Sequence, residues 1–118
     1  MQATIGDLIK DLGRSKCDVP VSALNGILGV DGACSYRGYY NHLALNPATQ
    51  SRYLSSHALL ARLRAAVNGE VFVGYKGGDY LMTKDTPVWV ADYGCLGVPV
   101  IGILHRDDRA ILILGFSE

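Results

Sequence analysis

The chain has no long apolar run, few glutamates, one tryptophan and an odd number of cysteines, and each shortage closes off a class of protein. Its longest apolar stretches, such as residues 110–114, fall far short of the roughly 18 to 20 residues that cross a bilayer, so no membrane helix is expected. The opening MQATIGDLIKDLG puts Asp7 and Asp11 where a signal peptide needs an apolar core; the sequence therefore predicts no secretory leader and a cytoplasmic protein. Cys17, Cys34 and Cys95 lack a CxxC spacing and suit neither a disulfide framework nor a zinc site, so reduced thiols are expected. Glu70 and Glu118 are the only glutamates, and GxSxG, HExxH, Walker and GxGxxG patterns are all missing. Cys34 with His42, or Cys95 with His105, could in principle form a nucleophile and base, but nothing in their spacing supports it. No catalytic residue, metal site or cofactor is assigned, and a non-enzymatic protein is expected.

What is present fits one packed domain over residues 1–118. Hydrophobic residues make up 49% of the 118 and charged residues only 19%, which excludes a disordered chain or a coiled coil. Eleven basic and eleven acidic residues cancel, which argues against an extended nucleic-acid footprint and against acidic mimicry of one. The excess is in glycine, with 14 residues, so many backbone positions are expected at turns, bulges or close approaches.

The order of elements follows from local patterns. Thr4 and Asp7 form a capping box ahead of the stripe Leu8, Ile9, Leu12, and Gly13 ends this first helix. Val19-Pro20-Val21 begins extended structure. Residues 23–46 predict a hairpin turning at Asp31-Gly32, with a long second strand through SYRGYYNHLAL that Asn46-Pro47 breaks. A second helix is expected over residues 55–67, with Leu59, Leu60, Leu63 and Val67 on one face and Asn68-Gly69 closing it. VFVGYKGGDYLM predicts a hairpin about Gly77-Gly78, TPVWVADYG a strand, and GVPVIGILHRDDRAILILGF a hairpin turning at residues 106–109. The last strand is apolar on both faces and must be covered by helices or by another subunit. The predicted fold class is α+β: a mostly antiparallel sheet of hairpins with two short amphipathic helices, in a homo-oligomer. Thr4, Leu8, Ile9 and Leu12 align with Ser55, Leu59, Leu60 and Leu63 at an offset of 51, and DVPV aligns with EVFV at 52, so the chain reads as two helix-then-strand units, either duplicated or convergent, since a short capped helix before a strand is a common pattern.

Charge is unevenly placed. Between Asp31 and Glu70 there is no acid, while Arg37, Arg52, Arg62, Arg64, His42 and His57 fall in that interval. As a patch these residues would attract a phosphate; singly, arginines on a helix rim are ordinary. Two phrases stand out: Tyr36-Arg37-Gly38-Tyr39-Tyr40 and Tyr75-Lys76-Gly77-Gly78-Asp79-Tyr80. Each sets tyrosine, a cation, glycine and tyrosine in order, which joins a π face, a positive charge and accessible backbone N–H groups. A glycine-tipped hairpin with cross-strand tyrosines produces the same pattern. The residues assigned to ligand binding are Tyr36, Arg37, Tyr39, Tyr75, Lys76, Gly77, Gly78, Tyr80, Trp89 and Asp92. Tyrosines and Trp89 would stack on a base, Arg37 and Lys76 would meet phosphate, and Asp92 would accept from a ribose or ring N–H.

SYRGYY, GYKGGDYLM, TPVWVADYG and the opening TIGDLIKDL together resemble a family of small, largely uncharacterised bacteriophage and prophage proteins, over residues 4–102. The resemblance implies a setting, host-defence evasion in the host cytoplasm, and no residue-level activity. It implies two modes: a sponge that sequesters a small phosphorylated nucleotide-like signal, which is the preferred expectation, or an anti-CRISPR-like module that binds a host defence protein.

Overall fold

The computed structural model describes residues 2–14, 16–23, 28–48, 54–91 and 97–115. Helix α1 (Ile5–Leu12) precedes β1 (Val21–Ala23), β2 (Leu28–Ser35) and β3 (Leu43–Ala48). Helix α2 (Ser56–Ala66), the hairpin β4 (Val71–Val73) and β5 (Asp79–Leu81), and then β6 (Val88–Ala91), β7 (Gly97–His105) and β8 (Ala110–Leu114) follow. No helix among the described residues is long and apolar enough to cross a membrane.

The expected α+β fold, an open sheet of hairpins with two helices, is not what forms: the described chain is mostly β and its main sheet is closed. Six strands close into a barrel in the order β1-β2-β3-β6-β7-β8, and β4 with β5 stands apart as a two-stranded ribbon. Two seams of the barrel are parallel: Leu43, Ala44 and Leu45 pair with Val88, Trp89 and Val90, and Val21 and Ser22 pair with Ala110 and Ile111. Turn chemistry announces antiparallel neighbours only, whereas a parallel seam joins strands distant in sequence and leaves no local mark. Closure removes the sheet edges and supplies the cover that β8 requires. Ala110 and Leu112 point into the barrel and are buried, while Ile113 points outward and is exposed.

The repeat is real in the helices but misplaced in the strands. Thr4 ahead of α1 bridges to Pro87 ahead of β6, and Ser55 ahead of α2 bridges to Pro20 ahead of β1. The flanking bonds match one for one. Ile5 N–H donates to the Thr86 carbonyl (2.9 Å) and Ser56 N–H to that of Val19 (2.7 Å). Ala3 N–H donates to the Val100 carbonyl (2.7 Å) and Leu54 N–H to that of Val30 (2.6 Å). Leu43 N–H reaches the Pro87 carbonyl (3.1 Å) as Ala110 N–H reaches that of Pro20 (2.9 Å). Hence β1, β2 and β3 correspond to β6, β7 and β8, and DVPV corresponds to DTPV, not to EVFV. Asp31-Gly32 is not a turn: the register shifts between Val30 and Gly32 in β2, and again between Val100 and Gly102 in β7, a matched pair of β-bulges. β3 also runs through Asn46-Pro47 to Ala48.

Each helix docks on the other half. Thr4 completes the capping box with Asp7. Ser55 caps α2, and Asp18, from the connection ahead of β1, accepts the His57 N–H (2.9 Å) in the same first turn. That bond is the main cause holding the Asp18 carboxyl below the usual carboxylate range. Ile5, Leu8 and Leu12 of α1 and Leu59, Leu63 and Ala66 of α2 join Val21, Val30, Leu43, Leu45, Val88, Val100 and Leu112 of the barrel in one core. Phe72 and Met82, with part of Tyr80, bring one face of the ribbon onto that core.

Candidate binding face

A second, smaller cluster lies outside the barrel. On β6, Val88 and Val90 enter the core, so alternation turns Trp89 and Ala91 outward. Cys34, Ala44 and Ala91 are small enough to let Tyr36 lie over them and stack on Trp89, with ring centroids 4.5 Å apart and planes at 15°. Gly38 and Gly97 close on the two edges of the Tyr36 ring; a Cβ at either would stand 2.6 Å from it. Tyr36 is thus only 8% exposed, and its expected role as a stacking platform passes to structure.

The loop of residues 36–42 is held to this cluster. Tyr36 N–H donates to the His42 carbonyl (2.9 Å), His42 N–H to that of Tyr39 (2.8 Å), and Ser35 Oγ to that of Tyr40. Trp89 Nε1–H donates to His42 Nδ1 (3.1 Å), which fixes the imidazole as the tautomer protonated on Nε2. Burial lowers the His42 pKa below the ordinary histidine value. Tyr39 leans on His42, centroids 4.8 Å apart, and remains 58% exposed.

The two tyrosine-cation-glycine phrases meet. Arg37 Cζ sits 3.6 Å from the centroid of the Tyr75 ring, and Tyr40 meets Tyr80 edge-on at 5.7 Å. Gly74 makes the approach possible, because a Cβ there would strike Tyr80 at 2.8 Å and Tyr40 at 3.2 Å. At the ribbon tip, Gly77 and Gly78 take φ of 95° and 89°, conformations that favour glycine. Gly77 N–H donates to the Gly74 carbonyl (2.9 Å) and Gly78 carbonyl accepts from Gly74 N–H (3.0 Å), so the tip follows ordinary hairpin geometry and the Gly77 donor is used internally. Lys76 is exposed beside it, and Asp92 lies outside the described residues.

The expected basic patch is dispersed. Arg62 makes a bidentate pair with Glu70 (2.7 and 2.9 Å) and lies over Phe72, Arg37 covers Tyr75, and His57 faces Asp18 at 3.8 Å. Arg52 and Cys95 are outside the described residues. Cys34 Sγ contacts Asn46 Oδ1 (3.6 Å), and burial raises its pKa, while His42 Nδ1 serves Trp89; the two do not form a nucleophile and base.

Sequence patterns did not single out Val71, Val73 and Leu81. They share the outer face of the ribbon, with Val71 paired to Leu81, and each is more than half exposed. The signal was the apolar run VFV, which a short two-stranded ribbon can bury on one face only. Tyr75, 60% exposed, adds to this face. No protein-family profile, curated protein or solved structure matches the chain.

Proposed function

We propose that the protein is a binding module whose binding face is formed where the 36–42 loop meets the β4–β5 ribbon. The carrying observation is the 3.6 Å stack of Arg37 on Tyr75. It joins two segments that exceed the repeat: the spacing of equivalent residues widens by sixteen across the ribbon, and the 36–42 loop is three residues longer than the turn at 106–109. Segments that a repeated scaffold does not need, yet which are built against each other, are the natural seat of function. Exposed Tyr75, Val71, Val73 and Leu81 give the ribbon an aromatic and apolar surface of the kind that binds a protein, and the loop adds exposed Tyr39 on the Trp89–His42 side. In the phage setting that the phrases resemble, the partner is a host defence protein. Immobilised protein should capture one specific host protein, and Leu81→Asp or Tyr75→Ala should abolish capture while leaving the melting temperature within a few degrees. Capture that survives both substitutions refutes this face.

The sponge reading keeps one specific support: Arg37 on one face of the half-exposed Tyr75 ring and exposed Lys76 next to it in the chain place cations beside an aromatic surface, which suits a phosphorylated nucleotide-like ligand. It predicts that cyclic dinucleotides or ADP-ribose derivatives raise the melting temperature, and that Arg37→Ala removes the rise. Self-association, if it serves either mode, is assigned to the outer face of β7 and β8, where Ile101, Leu104 and Ile113 are exposed.

A further inference from the structure

The repeat places a second site opposite the first. In one half, the gap between the β2–β3 loop and the lead-in to β6 is filled by Tyr36, Trp89 and His42. The equivalent gap in the other half lies between the β7–β8 turn and the lead-in to β1. Here Arg106 N–H donates to the Arg109 carbonyl (2.8 Å), just as Tyr36 N–H donates to that of His42, so Arg106 stands where Tyr36 stands and Arg109 where His42 stands. Rings are replaced by charges, and a hollow of about 250 Å³ remains. Arg14 and Lys16 line it from the lead-in, His105 and Arg106 from the end of β7, with Asp107 as its one acid. Residues some ninety positions apart in sequence thus bring three permanent cations and a histidine against a single carboxylate.

The backbone fixes this meeting, since Ala110 N–H is bonded to the Pro20 carbonyl. Arg14 has only a 3.8 Å contact with Asp11 and is itself 71% exposed, so little of its charge is neutralised. Three permanent cations around one lining carboxylate leave a positive potential in the hollow, which a bound anion relieves. The volume falls below the roughly 300 Å³ at which pockets for whole organic ligands begin. We propose that this hollow is an anion site that takes a phosphate group, with Lys16 and Arg106 as its principal donors and Arg14 as a supporting charge.

The test is calorimetric titration of the full chain with inorganic phosphate, pyrophosphate and adenosine 5′-monophosphate, at ionic strength held constant with potassium chloride. Phosphate should bind saturably and raise the melting temperature. Lys16→Gln and Arg106→Gln should each weaken it about tenfold, the loss expected for one charge-assisted contact, while Lys84→Gln, which removes an exposed cation outside the hollow, should leave it unchanged. Equal affinity for phosphate and the nucleotide assigns the site to the free anion; a nucleotide bound tenfold more tightly assigns it to a nucleotide's phosphate end. The proposal is overturned if the melting temperature follows ionic strength alone. It is equally overturned if the Lys16→Gln/Arg106→Gln double variant, folded by circular dichroism, binds as the parent does, or if Lys84→Gln weakens binding as much as Lys16→Gln.

Discussion

Gly97→Ala should destabilise the protein, and should do so through Tyr36. Gly97 is not at positive φ, so alanine's backbone is allowed there, and removing a strand glycine would by itself stabilise by about 0.5–1 kcal/mol. The added methyl, however, would stand 2.6 Å from Tyr36 Cε1 and 2.9 Å from both Cζ and the phenol oxygen. The ring has nowhere to go. Its opposite edge rests on Gly38, and Trp89 covers one face with centroids 4.5 Å apart. Overpacking of this kind costs about 1–3 kcal/mol, so the net loss should be about 1–2 kcal/mol. For a chain of this length that is a fall of roughly 4–8 °C in melting temperature. Urea unfolding followed by the fluorescence of Trp89, the single tryptophan, reads it directly. In a Tyr36→Ala background the clash is gone, and the same Gly97→Ala change should be neutral or stabilising; the coupling between the two sites should reach about 2 kcal/mol. If Gly97→Ala stabilises the parent, or costs as much without the Tyr36 ring as with it, the wedged-ring account is wrong.

Three further outcomes follow from the same geometry. Because burial depresses the His42 pKa, the unfolded chain takes up that proton first; His42's contribution is complete above about pH 6.5. It should fall as the pH drops below that value, with a shift in Trp89 emission that His42→Phe eliminates. In β8, Leu112→Ala should cost about 3 kcal/mol and its neighbour Ile113→Ala less than about 1 kcal/mol in denaturant melts, since only the first empties barrel volume. Ser56→Ala should cost about 1–3 kcal/mol by thermal unfolding, because the buried Ser56 Oγ accepts the Val19 N–H (3.0 Å) and no water can replace it without opening α2 from β1.

What could be read from the sequence was what is local. The capping box at Thr4 and Asp7 and the Leu59, Leu60, Leu63 stripe each depend on residues within one or two turns of chain, and each was legible. The barrel was not, because its parallel seams join Leu43 to Val88 and Val21 to Ala110 without any turn between them. Asp31-Gly32 carries a strong turn signal, yet a bulge also wants a glycine, and only pairing with β3 decides between them. At the candidate face, the two tyrosine phrases were recognisable as a pair, but their partners were not: Tyr36 is seated by small residues on three other strands, Ala44, Ala91 and Gly97. Nothing local marked His42 as the acceptor of the Trp89 N–H.

The matched bonds at Thr4 and Ser55 bear on why the 36–42 loop and the β4–β5 ribbon meet at one seam only. The segment ahead of α1 forms its hydrogen bonds with Thr86, Val88 and Val100, and the segment ahead of α2 with Val19, Val21 and Val30. Neither half can satisfy its own helix lead-in, so the halves fold as an interlocked pair. That interlocking makes the β3–β6 seam parallel, and the seam carries the first half's 36–42 loop to the start of the second half's β6, beside the ribbon inserted after α2. Two insertions made in different halves are thereby neighbours in space, and Arg37 reaches Tyr75. The corresponding seam, β8 with β1, received neither insertion, and there the short 106–109 turn leaves a cationic hollow instead. From one repeated scaffold, the unequal lengths of two loops are enough to produce two chemically different surfaces.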